Sequence, residues 1–201
     1  MIKTVVWVMA ASLFAANTLA AGNADAGKSK TVACGACHGA DGNSLAPAFP
    51  KLAGQHPGYL LKQLKDIKSG ARSVPAMTGQ LDALNDQDFE DIAAYYASQK
   101  ATLGTAKEEL VELGERVYRA GIRDKGVAAC TACHSPIGAG NAAAGFPSLS
   151  GQHADYIAAS LRAFRNDERT NDGDTRIMRD VANRLSDKEI DAVASYASGL
   201  H

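Results

Sequence analysis

The chain has 201 residues, 21 Lys and Arg against 22 Asp and Glu, 46% hydrophobic residues and only 6% aromatic ones. At roughly 100–200 residues per domain it holds one large domain or two small ones, and its composition excludes wholesale disorder and collagen-like repeats. A net charge of -1 excludes a general nucleic-acid binder, which carries a strong basic excess, and 4 cysteines are too few for a disulfide-dense scaffold. Residues 1–20 place Lys3 before an apolar run from Thr4 to Ala16 and end on Asn17-Thr18-Leu19-Ala20. That is the pattern of an export signal cleaved after Ala20. The run falls short of the ~20 residues that span a bilayer, so it reads as a signal and not an anchor. The mature chain is expected in the periplasm.

The mature chain reads as helices joined by Gly- and Pro-marked loops. A short helix is expected over Asp25–Ala33, a second over Gln55–Lys68, and a third over Asp86–Ser98, with Phe89, Ile92, Ala93 and Tyr96 on one face and Asn85 as its cap. After the polar stretch Gln99–Lys107 the order repeats: Glu108–Arg119, Gln152–Arg165, then Asp187–Ser198 with Ile190, Val193, Ala194 and Ala197 inward. Ser186 and Glu189 fit a capping box, in which each side chain satisfies a backbone donor of the other. No alternating stretch is long enough for a strand.

The repetition extends to individual residues. Cys34-Gly35-Ala36-Cys37-His38 recurs as Cys130-Thr131-Ala132-Cys133-His134, and Phe49-Pro50-Lys51-Leu52-Ala53-Gly54-Gln55-His56 recurs as Phe146-Pro147-Ser148-Leu149-Ser150-Gly151-Gln152-His153. Tyr59 pairs with Tyr156, Met77 with Met178, and Leu84 with Leu185. A duplicated unit with small insertions follows, all-α, divided near Leu103-Gly104 into domains 21–103 and 104–201. Each is small enough to bury only a thin apolar core, so something other than side chains is expected to fill the middle.

All four cysteines lie in the two Cys-x-x-Cys-His motifs, which read as c-type haem attachment. Two thiols three residues apart on a helical turn reach both vinyl groups of one porphyrin edge, and the following histidine lies under the iron. Three other chemistries compete. Disulfides within each motif leave the adjacent histidines unexplained; zinc ligation suits neither the spacing nor the separation of the motifs; a thioredoxin-type site calls for a βαβ pattern. The covalent haem ligands are thus Cys34, Cys37, Cys130 and Cys133, with His38 and His134 on the irons. For the opposite iron face, Met77 and Met178 are the only methionines left after signal removal, one per unit in a polar loop before the last helix. His56 and His153, also paired, are the rival ligands, with a structural role as the simpler reading. A methionine ligand raises the potential relative to histidine. A haem closed on both faces passes one electron with little rearrangement.

These motifs, the repeated Phe-Pro-x-Leu-x-Gly-Gln-His-x-x-Tyr and the terminal Leu-x-Asp helices are similar over the whole mature chain to the cytochrome c4 family of dihaem class I c-type cytochromes. The resemblance implies two tandem class I cytochrome c-like domains, each with one covalent haem c and the axial pairs His38/Met77 and His134/Met178. It also implies that Pro50 and Pro147 offer carbonyls to the proximal imidazoles, a contact that tunes ligand basicity. The family's role implies an electron carrier, not an enzyme, between a quinol-oxidising cytochrome bc complex and a haem–copper terminal oxidase. An electron-transfer subunit of a periplasmic dehydrogenase and a dihaem peroxidase are the alternatives. A monomer is expected, with peripheral membrane association left open. Departures stand out. Pro75 precedes Met77 by two residues but Arg176 holds that place before Met178, and the Met178 loop carries four extra residues, including Asn171-Asp172-Gly173-Asp174, which together predict a looser second site. Arginine is lopsided, with Arg72 alone in the first unit and nine in the second; these are read as solvated faces, or as side chains facing haem propionates or a partner.

Overall fold

The computed structural model describes residues 22–201; the expected export signal over residues 1–20 lies outside the described residues. Local chemistry sets most helix boundaries. In the first half, α1 (Ala24–Lys30) starts where Asn23 accepts from the backbone N–H groups of Asp25 and Ala26. α2 is the single turn Gly35–His38, and α3 (Pro57–Ser69) begins on proline and stops at Gly70, whose left-handed φ of 82° a side chain would resist. α4 (Asp86–Ser98) opens with a capping box between Asn85 and Asp88. The second half repeats the order with α5 (Glu108–Ala120), α6 (Thr131–His134), α7 (Ala154–Arg165), α8 (Ile177–Ala182) and α9 (Asp187–Ser198), the last opened by the Ser186–Glu189 capping box. Among the described residues there is no strand, only the isolated bridges Ile122–Val127 and Asn141–Phe146. α1 ends at Lys30, three residues before the expected Ala33. α3 and α7 start two residues late because Gln55 and Gln152 are drawn out of the helices for another task.

Each half is closed by its first helix crossing its last, and in both a glycine lets the backbones meet. A Cβ on Gly27 would lie 2.0 Å from the carbonyl oxygen of Asp91, and one on Gly114 2.3 Å from that of Ala192. The cores behind these crossings differ. The first is built on Leu60, Ile92, Ala93, Tyr95 and Tyr96; the second is larger, running from Val117 and Tyr118 through Ile157, Leu161 and Phe164 to Ile190, Val193 and Leu200. The first half adds a polar lock. Asp91, almost wholly buried, accepts from Lys30 at 2.7 Å, from the Asn23 backbone at 2.8 Å and from Gln87 at 3.0 Å.

The halves join through a reciprocal clasp. The Gln55 amide exchanges two hydrogen bonds with the Ser148 backbone, at 2.9 and 3.0 Å, and Gln152 does the same with the Lys51 backbone, at 2.9 Å each. The connection between them is pinned at both ends, by Asn43 bonding to Lys100 and Thr102 and by the Ser195 hydroxyl accepting from the Lys107 N–H at 2.9 Å.

Gly27→Ala and Gly114→Ala are each expected to lower thermal stability by roughly 1–3 kcal/mol, the usual cost of forcing atoms into a packed contact. The Lys30 contact, aided by the Asn23 and Gln87 donors, holds the Asp91 carboxyl down to about 2 against an ordinary 3.8. A carboxyl lowered by folding stabilises above its unfolded pKa and loses that contribution as the pH falls toward its folded value. Asp91→Asn should therefore cost stability at neutral pH and flatten the acid-unfolding curve between about pH 4 and pH 2.

Candidate functional site

Each Cys-x-x-Cys-His segment forms one helical turn, with the His38 N–H donating to the Cys34 carbonyl and the His134 N–H to the Cys130 carbonyl, both at 2.9 Å. Two thiols and an imidazole thereby share one turn. The chain leaves each turn at a positive φ, 79° at Gly39 and 66° at Ser135. Tyrosine hydroxyls hold these exits: Tyr95 donates to the Ala40 carbonyl at 3.0 Å and Tyr118 to the Ser135 carbonyl at 2.7 Å. Both imidazoles are buried. Their Nδ1 atoms lie 2.8 Å from the Pro50 carbonyl and 3.0 Å from the Pro147 carbonyl. A carbonyl only accepts, so each Nδ1 carries the proton and each Nε2 keeps its lone pair. Burial pushes both imidazole pKa values down, with the proline carbonyls opposing it, and this favours the neutral, metal-binding form. Phe49 and Phe146 pack against these rings at 6.2 Å between centroids, tilted 71° and 52°. The repeated Phe-Pro thus supplies a wall and an acceptor to each histidine, and the packing role of the phenylalanines was not evident from the motif.

None of the four cysteines is in a disulfide. Burial pushes the Cys34 thiol up and the Cys130 thiol up to about 11, the opposite of the lowered thiol of a redox-active Cys-x-x-Cys. Among the described residues no group of three or more His, Cys, Asp or Glu is arranged to hold a bare metal ion. Tyr96 carries a buried hydroxyl without a partner. Unpaired thiols on one turn with an imidazole whose Nε2 is free fit a haem in each half.

The methionines sit in unlike settings. Met77 closes the 3-10 turn Pro75–Met77 and is half-buried. Met178 lies inside helix α8, not in a loop, and packs against the second core together with Cys130 and Leu149. The longer second loop is not loose. Asp172, one of its added residues, pairs with Arg179 at 2.7 Å with side-chain exposures of 6% and 11%. Arg179 also donates to the Gly173 carbonyl, and Arg176, held at φ 50°, reaches Asp167 at 3.2 Å. The insertion therefore clamps the segment around Met178.

His56 and His153 cap α3 and α7 and turn their rings across the interface. His56 Nε2 donates to the Ala139 carbonyl at 2.8 Å and His153 Nε2 to the Ser44 carbonyl at 2.9 Å. Each ring's Nε2 is thus a donor spent on the opposite half. The Gln-His-x-x-Tyr that ends the long repeat is the joint between the halves.

Comparison with known proteins agrees with this geometry. The cytochrome c family model matches twice, over residues 24–100 and 111–200. The cytochrome c4 of Pseudomonas aeruginosa is 59% identical over 182 residues, 90% of each chain. The crystal structure of reduced recombinant cytochrome c4 from Pseudomonas stutzeri superposes with a TM-score of 0.89 at 57% identity, covering 90% of this chain and 100% of that one. At greater distance, a thiosulfate dehydrogenase electron acceptor from Stutzerimonas stutzeri is 40% identical over 173 residues, 84% of this chain and 79% of that protein.

Asp172→Ala should free the Met178 segment. Arg179 keeps the Gly173 carbonyl, so the loss should stay below the roughly 3–5 kcal/mol of stripping a partner from a fully buried ion pair. Hydrogen exchange is expected to rise at residues 176–180 and to stay unchanged around Met77.

Proposed function

The chain belongs to the cytochrome c4 family of dihaem c-type cytochromes, and from that premise we propose that it carries single electrons across the periplasm from a quinol-oxidising cytochrome bc complex to a haem–copper terminal oxidase. Two covalently bound haem c groups and an electron-carrier role come with the family. The partners, the periplasmic address with a signal cleaved after Ala20, the division into 21–103 and 104–201, and the individual ligands are our reading. Cys34 and Cys37 would hold the first haem and Cys130 and Cys133 the second. His38 with Met77, and His134 with Met178, would fill the two faces of each iron.

When bound, the group supplies reversible one-electron iron chemistry; the protein's part is to hold it still. Pro50 and Pro147 fix ring orientation and proton position on the proximal histidines, and strengthen them as ligands. Phe49 and Phe146 restrict those rings from the side. Were these residues to fill both faces of each iron, no position would be left for peroxide, which is the ground for preferring the carrier to the peroxidase. The observation that carries the proposal is the twice-built buried imidazole with Nδ1 on a proline carbonyl and Nε2 free. Net charge near zero suits transient docking through local patches. A dehydrogenase donor is the second reading, supported by the relative described as an electron acceptor for thiosulfate dehydrogenase.

The reduced protein should show low-spin c-type bands for two haems, and the oxidised protein a methionine–iron charge-transfer band near the red edge of the visible. Met77→His and Met178→His should each remove about half of that band. Each should also lower one midpoint potential, within the ~0.8 V range that axial ligands span. A full band in either variant would refute that methionine's assignment.

A further inference from the structure

Among the described residues, the Tyr96 hydroxyl is the one buried side-chain polar group that makes no hydrogen bond. The residue is 1% exposed and belongs to the apolar cluster of the first half, against which Cys34 packs. The polar side chains that face its hydroxyl are Thr31 and Cys34. Thr31 already directs its own proton to the Lys28 carbonyl, at 2.9 Å. The ring is held in place. A Cβ on Gly42 would lie 2.7 Å from its Cδ1, and its backbone carbonyl accepts from the Gly54 N–H at 2.9 Å. Burial, with Cys34 alongside, pushes the phenol pKa up, so the group keeps its proton and stays a donor. A buried hydroxyl without an acceptor is costly and rare in a native protein.

The second half arranges the same crossing without such a group. Thr31 stands four residues after Gly27, as Tyr118 stands four after Gly114; Tyr96 stands five after Asp91, as Ala197 stands five after Ala192. Each crossing therefore joins one bulky and one small residue, with the bulk on opposite helices. The Tyr118 hydroxyl is engaged by the Ser135 carbonyl at 2.7 Å, and Ala197 has none. A phenol beside the first cysteine with its proton unused belongs to the first half alone.

The chemistry expected at Cys34 supplies the missing acceptor. When a thiol adds across a vinyl double bond, sulfur bonds to one vinyl carbon and the thiol hydrogen passes to the other. The resulting thioether has lone pairs and no proton, so it can only accept. Resting on the dihaem reading, we propose that the Tyr96 hydroxyl donates to the Cys34 thioether sulfur, which makes Tyr96 a positioning residue for the first haem. The bond pins the attached porphyrin edge. It also draws electron density from the sulfur, which disfavours the ferric state. Hydrogen bonds one layer out from a metal's own ligands tune the centre in this way, and here the lever acts on one haem of the two.

The test combines resonance Raman spectroscopy with a spectroelectrochemical titration of the holoprotein, both haems counted. Transfer of the wild type to heavy water should shift one thioether C–S stretch, and Tyr96→Phe should abolish that shift. Tyr96→Phe should also lower the midpoint that Met77→His lowers and leave the other in place. The oxidised-to-reduced ratio of that haem at fixed potential should rise about threefold, roughly 28 mV at 59 mV per tenfold for one electron. Losing a bonded hydroxyl should lower the melting temperature, whereas losing one that is still orphaned in the holoprotein would raise it. The isotope shift needs no variant, so it decides even where Tyr96→Phe fails to fold. A C–S stretch indifferent to heavy water would overturn the inference. So would unchanged midpoints in a folded, two-haem Tyr96→Phe protein, movement of the other midpoint instead, or a higher melting temperature. Fewer than two haems per wild-type chain would instead overturn the dihaem reading itself.

Discussion

The reciprocal glutamine clasp is the contact on which the molecule's use of two sites depends. Gln55 reads both backbone groups of Ser148, and Gln152 both of Lys51. Hydrogen bonds are directional where apolar contact is not, so a seam of amide-to-backbone pairs admits one register and resists sliding. Electron exchange between two centres falls steeply with their separation. A joint that sets that separation therefore belongs to the function as much as the ligands do. Ser44, Gln55, Gln63, Gln152 and Arg169 are all buried, and all lie at this seam. Such burial is tolerable because each of these groups finds partners across it.

What the sequence revealed follows from how local each signal is. A Cys-x-x-Cys-His turn carries its chemistry within five residues, and a capping box within four, so both were legible. The α4 and α9 boundaries follow from Asn85 and Ser186 for the same reason. The role of Gln-His-x-x-Tyr was not legible, although its repetition was plain. A residue repeated in both halves can serve each half's own fold or the contact between them, and only the arrangement of the halves separates the two. Gly27 and Gly114 were missed because a glycine at a helix crossing looks in sequence like any other helical glycine. The second loop misled because added length suggested slack, whereas Asp172 brought the partner that restrains Arg179.

The two halves solve shared problems with different residues. Tyrosine pairs lie near both sites, Tyr95 with Tyr96 and Tyr118 with Tyr196, at 5.2 and 5.7 Å between ring centroids. The first half takes both rings from α4; the second takes one from α5 and one from α9. The hydroxyl that steadies the chain after the attachment turn therefore comes from Tyr95 in one half and Tyr118 in the other. The polar lock on Asp91 likewise has no counterpart, since Ala192 holds the matching place against Gly114. The second half relies instead on its larger apolar cluster, into which Met178 is drawn. Met77 sits on a short turn outside the corresponding cluster of the first half. The two repeated methionines thus face environments of different polarity and restraint.

The uneven arginine count also resolves in space. On the outer faces of the second half, Arg162 and Arg165 share Asp187, Arg162 also takes Asp191, and Arg116 and Arg119 take Glu112 and Glu115 one turn away. Such exposed pairs contribute little stability each, and they cancel charge where a partner would otherwise sense it. At the seam, Arg169, buried, and Arg72, half-buried, instead take neutral partners, while exposed Arg184 donates to the Gly126 carbonyl. A charge placed within the seam acts on its neighbours in a poorly polarisable setting, where charge interactions are strongest. One placed outside would be screened by salt and would bias the choice of partner. The seam arginines therefore serve the contact between the halves, through Tyr59, Tyr156 and Gln63, and leave the chain's net charge of -1 to set the field at its surface.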